Sequence, residues 1–331
     1  MKKYNWQINK TPESEGEIMK VLVTGGNGLI GRSVVNALLK ERLAVRSMDL
    51  NKSSITGVEH FIGSILDVNN VNQAVRGCDA VIHLAAKLGV KRTETHRLET
   101  LNINIQGTVN ILEACVKNDI EKVIFSSSSE VYGDQNVELI SEICPRNPKS
   151  IYGVTKLAAE EYLQAYYNYY DLDYSILRYF NVYGPGQVAE FVLPRFIKAT
   201  MENNSPIIYG DGSQIRSFCY VDDIARGTIL ALLSKNANSE VFNIGNDKDK
   251  ITILETAKKV IEVSGKFFVP QLVSFDAADR TTDRDIKNRI PDISKARKLL
   301  GYKPEVFLEE GIKKVMDSGE IPDSWIEPME Y

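Results

Sequence analysis

A glycine-rich turn between an apolar strand and a helix is the feature that most constrains how this chain folds. Residues 21–31 read V-L-V-T-G-G-N-G-L-I-G, with glycines at Gly25, Gly28 and Gly31. This spacing allows a tight turn, a close approach of the backbone to a phosphate, and close packing of the helix on the strand. From about Leu29 onward, N–H groups and the positive end of the helix dipole face the anion. The sequence therefore predicts a pyrophosphate site at this turn.

A carboxylate follows the turn at the distance that dinucleotide binding requires. Asp49 ends a second predicted strand, Ala44–Asp49, and lies 18 residues after Gly31. An acid at this place accepts hydrogen bonds from the ribose hydroxyls and repels a 2′-phosphate. We therefore expect NAD rather than NADP, although Arg46 and Lys52 bring cations close to Asp49.

Composition excludes several other classes of protein. The 331 residues are 43% hydrophobic and 25% charged, with a formal net charge of −4, which is ordinary for a globular protein and argues against non-specific nucleic-acid binding. The four cysteines are far apart in the sequence and lack the paired spacing of metal ligands, so we expect no metal site. They are interpreted as buried free thiols, which are typical of a reducing compartment, and we expect a cytoplasmic protein. No apolar run approaches the ~20 residues of a membrane span. Residues 1–18 are polar, lack the apolar core of a signal peptide and are interpreted as an N-terminal extension.

After the glycine turn, short apolar strands alternate with helices. The predicted strands are Ala44–Asp49, Val58–Ile62, Ala80–Ala85, Lys122–Ser127 and Asp173–Arg178. The predicted helices are Ile30–Lys40, Val68–Arg76, Asn102–Asn118 and Ile151–Tyr170. Such alternation indicates an α/β fold, with a doubly wound parallel sheet of the Rossmann type covered by right-handed crossovers. We expect residues 19–178 to form the dinucleotide-binding domain. Residues 179–331 are expected to form mainly a smaller, partly interleaved α/β substrate domain, closing over the carboxyl ends of the strands, where ligands bind.

A tyrosine and a lysine on one helix face suggest acid–base chemistry. Tyr152 and Lys156 are four residues apart, so both side chains lie on the same face. The pKa of an ordinary tyrosine is about 10, but a nearby ammonium and an oxidised nicotinamide both favour the phenolate. A serine run, 126–129, ends the strand that precedes this helix, where a hydroxyl can bind the reacting oxygen. The alternatives are a tyrosine-rich structural helix and a serine-rich turn.

Together these motifs resemble one family. The matching segments are T-G-G-N-G-L-I-G (24–31), H-L-A-A (83–86), N-I-Q-G-T-V-N-I-L-E-A (104–114), S-S-S-S-E-V-Y-G (126–133), Y-G-V-T-K (152–156), R-Y-F-N-V-Y-G-P-G (178–186), Y-G-D-G-S-Q-I-R-S-F-C-Y-V-D-D (209–223), F-N-I-G (242–245) and P-D-I-S-K-A (291–296). In this order they resemble the extended short-chain dehydrogenase/reductase family, in its nucleotide-sugar epimerase/dehydratase branch. The resemblance covers residues 20–311, nearly the whole chain.

The resemblance implies a set of NAD-binding residues. It assigns Gly25, Gly28, Leu29, Ile30 and Gly31 to the pyrophosphate, Asp49 to the adenosine ribose, Asp67 and Leu66 to the adenine side, Leu84, Ala85 and Ala86 to the cofactor channel, and Asn104, Ser126, Tyr152 and Lys156 to the region around the active site and nicotinamide.

The resemblance also implies the residues that act on the substrate. Ser128 matches the catalytic Ser/Thr position, and Tyr152 matches the base. Asn181 and Arg216 match positions that hold the diphosphate of a nucleotide sugar, and a bidentate Arg–phosphate fork is the physical reason for the arginine. A second arginine is expected before Pro291, for which Arg284 and Arg280 are the candidates.

Glu130 bears on which reaction follows oxidation of the sugar. Dehydratases of this branch carry Ser/Thr-Asp-Glu here, whereas this chain has Ser128-Ser129-Glu130 and lacks the acid. Decarboxylases of UDP-uronic acids show Ser/Thr-Ser-Glu, and simple 4-epimerases more often have a small or apolar residue in place of Glu130. The stretch R-Y-F-N-V-Y-G-P-G looks more like the epimerases.

We expect an NAD-dependent 4-epimerase. The alternatives are a decarboxylase with Glu130 in the catalytic set, a 4,6-dehydratase, a ketosugar reductase and a non-enzymatic NAD-binding scaffold.

The resemblance implies a homodimer. In this family the helices predicted at 102–118 and 151–170 pair across a two-fold axis as a four-helix bundle. The second helix carries more apolar and aromatic residues than one buried stripe needs, namely Leu157, Tyr162, Tyr166 and Tyr169. The alternative is that the protomer's own loops cover them.

Overall fold

The protein is described here from a computed structural model that covers residues 18–274 and 286–324. Within these two ranges, the helices are all too short or too polar to cross a membrane.

Strands and helices alternate through the first half of the chain. In chain order the strands are β1 (Lys20–Thr24), β2 (Ala44–Asp49), β3 (Glu59–Ile62), β4 (Ala80–His83), β5 (Lys122–Ser128), β6 (Asp173–Tyr179), β7 (Val182–Tyr183), β8 (Ile207–Tyr209), β9 (Ile215–Ser217), β10 (Cys219–Tyr220), β11 (Glu240–Ile244), β12 (Lys250–Thr252), β13 (Gln271–Val273) and β14 (Asn288–Arg289). The α-helices are α1 (Leu29–Lys40), α2 (Val68–Val75), α3 (Val90–Thr95), α4 (Arg97–Leu101), α5 (Gly107–Lys117), α6 (Ile151–Tyr170), α7 (Val192–Met201), α8 (Val221–Leu233), α9 (Ile253–Ser264), α10 (Ser294–Leu300) and α11 (Leu308–Ser318).

Seven strands form one parallel sheet in the order β3-β2-β1-β4-β5-β6-β11. Helices cover both faces, so the predicted doubly wound α/β fold is confirmed. Strands β2 and β3 are added to one side of β1, and the strands from β4 onward are added to its other side. The gap between β1 and β4 is therefore a topological switch point, and ligands bind beyond the carboxyl ends of the strands at such a point. The glycine turn follows β1 at this place.

Alternation along the central strands separates the two cores. On β1, Val21 and Val23 pack with α1 and α8 on one face, while Leu22 packs with α2, α5 and α6 on the other. Side chains of a strand point alternately to opposite faces, so a strand covered on both sides reads as a continuous apolar run. This explains why V-L-V is buried throughout.

Two predicted elements differ from the structure in informative ways. The strand predicted at 80–85 ends at His83, because the N–H of Ala85 bonds to the side chain of Thr24 and not to a backbone carbonyl. The helix predicted at 102–118 begins with a π-helical turn, Asn102–Gln106, before it continues as α5. Such wider turns often occur at functional sites.

The second half of the chain adds small sheets beside the carboxyl edge. These are the pair β7–β10, the sheet β12-β9-β14 and the pair β8–β13, packed with α7, α9 and α11 around a separate core that includes Phe196, Val260 and Ile312. Strand β11 and helix α8, from the second half of the chain, pack with the main sheet, as the expected interleaving requires. The boundary between two domains at residue 178 stays a prediction. The loop before α6 is joined to the chain after β14, since Ile140 exchanges backbone hydrogen bonds with Ile290 and Asp292.

A buried carboxylate fastens the C-terminal segment to α8. Asp223 is 1% exposed, accepts hydrogen bonds from the N–H groups of Glu305 (3.1 Å) and Val306 (3.0 Å), and pairs with Arg226. Burial raises the pKa of Asp223, and its hydrogen bonds and Arg226 oppose this.

We expect Asp223→Ala to lower the free energy of unfolding by about 2 kcal/mol, because the N–H groups of Glu305 and Val306 lose their acceptor and Arg226 loses one of its two carboxylate partners. Urea unfolding monitored by circular dichroism measures this. Asp317→Ala, at an exposed position of α11, is the control and should change stability by less than about 0.5 kcal/mol. Equal stability of the two variants would contradict the role given to Asp223.

Candidate active site

The glycine turn is shaped by contacts that leave no room for side chains. Gly25 has φ +71°, and its N–H donates to the carbonyl oxygen of Met48 at 2.8 Å. A Cβ at Gly25 would lie 2.8 Å from the backbone nitrogen of Ala85, and a Cβ at Gly31 would overlap the carbonyl oxygen of Gly25. Strand, turn and helix are therefore packed backbone against backbone.

The beginning of α1 is open toward the carboxyl edge of the sheet. Gly28 is the N-cap residue, is exposed, and makes no side-chain capping bond to the first turn. First-turn N–H groups without a cap, at the positive end of a helix, suit an anion. The side chains of Leu29 and Ile30 pack instead into the core of the second half of the chain. The cradle thus fits the pyrophosphate of NAD.

Asp49 lies beside the turn. Its carboxylate accepts a hydrogen bond from the N–H of Asn27 at 2.9 Å, and the amide nitrogen of Asn27 donates to the carbonyl oxygen of Asn51. The Oδ1 atom of Asn27 is buried and has no hydrogen-bond partner among residues 18–274 and 286–324. A carboxylate and an unpaired carbonyl oxygen are acceptors suited to ribose hydroxyls, so this end of the site also fits the dinucleotide.

Asp67 has a structural task in addition to the predicted one. It is the N-cap of α2, and its Oδ1 accepts from the N–H groups of Asn69 (2.8 Å) and Asn70 (3.0 Å). The carbonyl oxygen of Leu66 accepts from Asn110 at 3.3 Å. Contact of Asp67 and Leu66 with adenine stays a prediction.

A buried chain of hydrogen bonds joins the glycine turn to the floor of the site. His83 Nδ1 lies 2.7 Å from Thr24 Oγ1, and its Nε2 lies 3.1 Å from Thr108 Oγ1. Thr108 donates to the carbonyl oxygen of Asn104, so His83 donates from Nε2 and accepts at Nδ1. Burial, aided by Lys156, lowers the pKa of His83 to about 3, and the ring is neutral.

Asn104 fixes the segment that follows β4. Its Oδ1 accepts from the N–H of Lys87 at 2.7 Å, while its Nδ2 donates to the carbonyl oxygen of Lys87 and to Thr155 Oγ1, both at 3.0 Å. Asn104 thereby ties the chain after Leu84, Ala85 and Ala86 to the helix that carries the tyrosine. Ser126 contributes on β5, where its hydroxyl donates to the carbonyl oxygen of His83 at 2.9 Å.

The end of β5 meets the first turn of α6. Ser128 is the last residue of β5, and its Oγ accepts from the N–H of Glu130 at 3.2 Å. A Cβ on Gly153 would lie 2.8 Å from the carbonyl oxygen of Glu130, so the helix touches this turn with its backbone. Tyr152 precedes Gly153, and the structure therefore brings the predicted serine and tyrosine to one corner of the sheet edge.

Lys156 is enclosed among rings. Its Nζ lies 4.7 Å from the centroid of the Phe125 ring and 5.7 Å from that of Tyr152. Burial lowers the pKa of Lys156 to about 7, and the carboxylate of Glu160 opposes this. Burial, with the charge of Glu130, raises the pKa of Tyr152. Without a further positive charge nearby, the phenol therefore keeps its proton at neutral pH.

Glu130 forms an ion pair with an arginine from the second half of the chain. Its Oε1 lies 2.6 Å from Arg289 Nη1, and its Oε2 accepts from Ser150 Oγ at 3.1 Å. Ser150 caps α6 by accepting from the N–H of Gly153 at 3.0 Å. The pair therefore spans the cleft between the main sheet and the small sheet that holds β14.

Of the predicted diphosphate residues, Arg216 lies on that small sheet, and Asn181, between β6 and β7, is hydrogen-bonded to it. The side-chain nitrogen of Asn181 donates to the carbonyl oxygens of Ser217 and Arg289, both at 3.0 Å. Arg216 on β9 is the register partner of Arg289 on β14, so both side chains leave the same face. Arg284 and Arg280 lie outside the described residues, and their role stays a prediction.

Sequence reasoning missed Arg289. It is closer to Pro291 than either arginine that was considered, and the only available signal was its place just before P-D-I-S-K-A. Its importance depends on the pairing of β14 with β9 and on the contact with Glu130, which come from distant parts of the chain. The roles of the other predicted site residues stay predictions, although the structure gathers those it describes along one edge.

Comparison with known proteins agrees with this geometry. The model of the NAD dependent epimerase/dehydratase family matches residues 21–245. A putative UDP-glucose 4-epimerase of Methanocaldococcus jannaschii is 36% identical over 309 residues, which are 90% of this chain and 97% of that protein. A UDP-N-acetyl-alpha-D-glucosaminuronate decarboxylase of Bacillus cytotoxicus is 36% identical over 318 residues, which are 90% and 96% of the two chains.

A solved structure shows the same likeness. The crystal structure of UDP-glucuronic acid 4-epimerase from Bacillus cereus, in complex with UDP-glucuronic acid and NAD, is 34% identical with a TM-score of 0.83 and covers 91% of this chain and 98% of that chain. With this fold and these matches, the chain belongs to the NAD-dependent epimerase/dehydratase family of extended short-chain dehydrogenases/reductases and is an enzyme that uses NAD.

Proposed function

We propose that this enzyme is a nucleotide-sugar 4-epimerase, which oxidises the sugar at C4 and reduces the 4-keto intermediate on its other face. The observation that carries this proposal is the meeting of Ser128, Tyr152 and Lys156 beside the glycine cradle. A hydroxyl, a phenol and a buried ammonium converge there at the carboxyl edge of the sheet. Relatives that carry the name of 4-epimerases support the same reaction.

The site residues divide the work of moving one proton. Ser128 binds the C4 hydroxyl, and Tyr152 as phenolate takes its proton and later returns it. The ammonium of Lys156 favours the phenolate, against the effects of burial and Glu130. The glycine cradle and Asp49 would hold NAD⁺, which would supply the hydride acceptor for C4 and a positive charge that further favours the phenolate of Tyr152. Arg216 and Asn181 hold the diphosphate while the sugar turns over.

The environment of Glu130 supports epimerisation over dehydration. Loss of water needs an acid and a base on the sugar, but residue 129 is a buried serine, and Glu130 is held as an acceptor by Arg289 and Ser150. A carboxylate that accepts a guanidinium and a hydroxyl bond has no proton to donate. Inversion at C4 needs none from it.

Arg289 supports a second candidate, the decarboxylation of a nucleotide uronic acid. Its guanidinium lies 15% exposed in the cleft, next to the turn that holds Ser128. A C6 carboxylate of the sugar would accept from Arg289 the charged hydrogen bond that Glu130 accepts in this structure. A 4-keto uronic acid held there loses CO2 readily, and the decarboxylase of Bacillus cytotoxicus is among the relatives.

We also propose that the enzyme is a homodimer paired through α5 and α6. Both helices cover the same face of the sheet. Tyr162 and Tyr169 on α6 are 41% and 83% exposed, whereas Leu157 and Tyr166 pack against the protomer's own cores. Exposed aromatic rings on a long amphipathic helix are typical of a helix-pairing surface.

We expect Tyr152→Phe to lower kcat by about 10²–10⁴-fold while NAD affinity stays nearly unchanged, because only the proton-accepting oxygen is lost. Turnover of a panel of UDP-, dTDP- and GDP-sugars, followed by anion exchange and mass analysis, measures the rate, and fluorescence titration measures NAD binding. Tyr174→Phe, at a buried ring near the amino end of β6 and so at the opposite edge of the sheet, is the control. A Tyr152→Phe enzyme with the wild-type rate would refute the mechanism.

Glu130→Gln separates the two candidate reactions. An epimerase should keep its rate within about tenfold, since the carboxylate moves no proton, and the product should have the mass of the substrate. A decarboxylase should lose most of its activity, and its product should lack the mass of CO2. The epimerase assignment fails if Glu130→Gln is as inactive as Tyr152→Phe.

Light scattering at micromolar concentration should give about twice the chain mass of 37.1 kDa. Tyr162→Glu should shift the protein toward the monomer, because a charge cannot be buried unpaired in an apolar helix interface. Phe267→Glu, at a fully exposed ring beyond α9, should not. A wild-type monomer would contradict the dimer.

A further inference from the structure

A buried carboxylate lies directly below the proposed catalytic pair. Glu160 follows Tyr152 and Lys156 on α6 at intervals of four residues, so the three side chains share one face. Its side chain is 0% exposed, and a buried charge is tolerated only when it is paired and hydrogen-bonded. Nothing in the proton transfer described above uses it.

The carboxylate is saturated by partners from two strands. Oε1 accepts from Ser127 Oγ at 2.5 Å and from Arg178 Nε at 2.9 Å, and Oε2 accepts from Arg178 Nη2 at 2.6 Å. Arg146 Nη1 lies 3.6 Å from Oε2. The two bonds from Arg178 form the planar fork that gives such pairs a defined geometry.

Further hydrogen bonds extend the Glu160–Arg178 pair into a network across the carboxyl end of the sheet. Ser127 on β5, Arg178 on β6 and Asn243 on β11 are register partners in one row. Arg178 Nη1 donates to Tyr132 Oη at 2.8 Å, and Tyr132 donates to Asn243 Oδ1 at 2.7 Å. The network therefore fastens three strands, and the turn after β5, to the helix that carries Tyr152.

Glu160 affects the proposed catalytic residues in two ways. Ser127 immediately precedes Ser128, so its bond to Glu160 sets how the end of β5 lies against α6. The charge of Glu160 also acts on Lys156, one turn away, and opposes the fall in the pKa of Lys156 that burial causes.

Other charged or titratable groups surround Lys156 on each side. His83 on β4 is neutral, Tyr152 lies on the same helix face, and Glu130 acts on Tyr152 from the turn after β5. Arg178 on β6 is paired with Glu160. The anion whose charge raises the pKa of Lys156, against the effect of burial, is Glu160.

We infer that Glu160 and Ser127 are positioning residues of this enzyme, which hold Ser128 and Tyr152 in register on one sugar oxygen and keep Lys156 cationic. This inference rests on the proposed function, since Ser128 and Tyr152 receive their roles there. Glu160 acts through Ser127 and Lys156 and touches no reacting atom itself.

The serine arm is tested by a matched pair of variants in the NAD-bound enzyme. Ser127→Ala removes the bond to Glu160, whereas Ser175→Ala removes an equally buried serine bond, to the carbonyl oxygen of Ala237 at 2.6 Å, on the neighbouring strand away from the site. We expect kcat to fall about tenfold in Ser127→Ala with KM unchanged, while Ser175→Ala keeps its kcat and both lose similar stability. Equal kcat values in the two variants would overturn the positioning role of Ser127.

The charge arm is tested on Lys156 itself, so that its result does not depend on turnover. The pH dependence of the Lys156 ¹³Cε chemical shift, measured by NMR on protein labelled at lysine ¹³Cε and assigned with Lys156→Arg, gives the pKa of this buried amine without a reagent that must reach it. In Glu160→Gln, loss of the anion and exposure of Lys156 to an unpaired Arg178 both lower this pKa, by about one unit or more. The fall of kcat at alkaline pH should move to lower pH in the same variant.

A double variant guards against misfolding. Glu160→Gln with Arg178→Gln leaves no unpaired buried charge, and it should shift the pKa of Lys156 in the same direction by a smaller amount. An unchanged Lys156 pKa in both variants would overturn the electrostatic role of Glu160. If the wild-type enzyme turns over no nucleotide sugar, the proposed function fails instead, and the pKa of Lys156 measured by NMR still decides the charge arm.

Discussion

The contact between Gly31 and the carbonyl oxygen of Gly25 is the constraint on which the site depends. Any side chain at Gly31 would overlap that oxygen, so α1 packs on the turn with its backbone alone. This packing aims the beginning of α1 at the carboxyl edge beside the β1–β4 switch point, where a pyrophosphate is bound. Gly25 makes the corresponding contact with Ala85, and β4 and the chain after it are thereby held against the same turn.

Polar groups buried at this edge are satisfied by side chains from distant segments. His83 joins Thr24 to Thr108, Asn104 fixes the backbone of Lys87, and Glu160 is paired with Arg178. Each group costs free energy when it is desolvated without a partner, so each holds its partners in one arrangement. Because each buried polar group must keep its partner, these pairs hold the residues around the proposed active site in one arrangement.

The ion pair between Glu130 and Arg289 joins the two halves of the chain across the cleft. Glu130 follows the strand that ends in Ser128, and Arg289 belongs to the sheet that carries Arg216. Because Ile140 bonds to Ile290 and Asp292, the segment that holds Arg289 is anchored on both sides of the cleft. Under the proposed function, the C6 group of the sugar would lie against this pair, and the contact of Arg289 with that group would bear on the choice between epimerisation and decarboxylation.

Sequence alone determined the features that depend on local pattern. The glycine spacing predicted the cradle, the alternation of strands and helices predicted the parallel sheet, and the interval between Tyr152 and Lys156 placed both on one face of α6. Only the tertiary structure decided which residues meet from distant segments, because hydrogen bonds and ion pairs between Ser127, Arg178 and Glu160, or between Glu130 and Arg289, have no local period. The early end of β4 has the same cause, since the side chain of Thr24 there accepts the hydrogen bond of the Ala85 N–H that a longer strand would give to a backbone carbonyl.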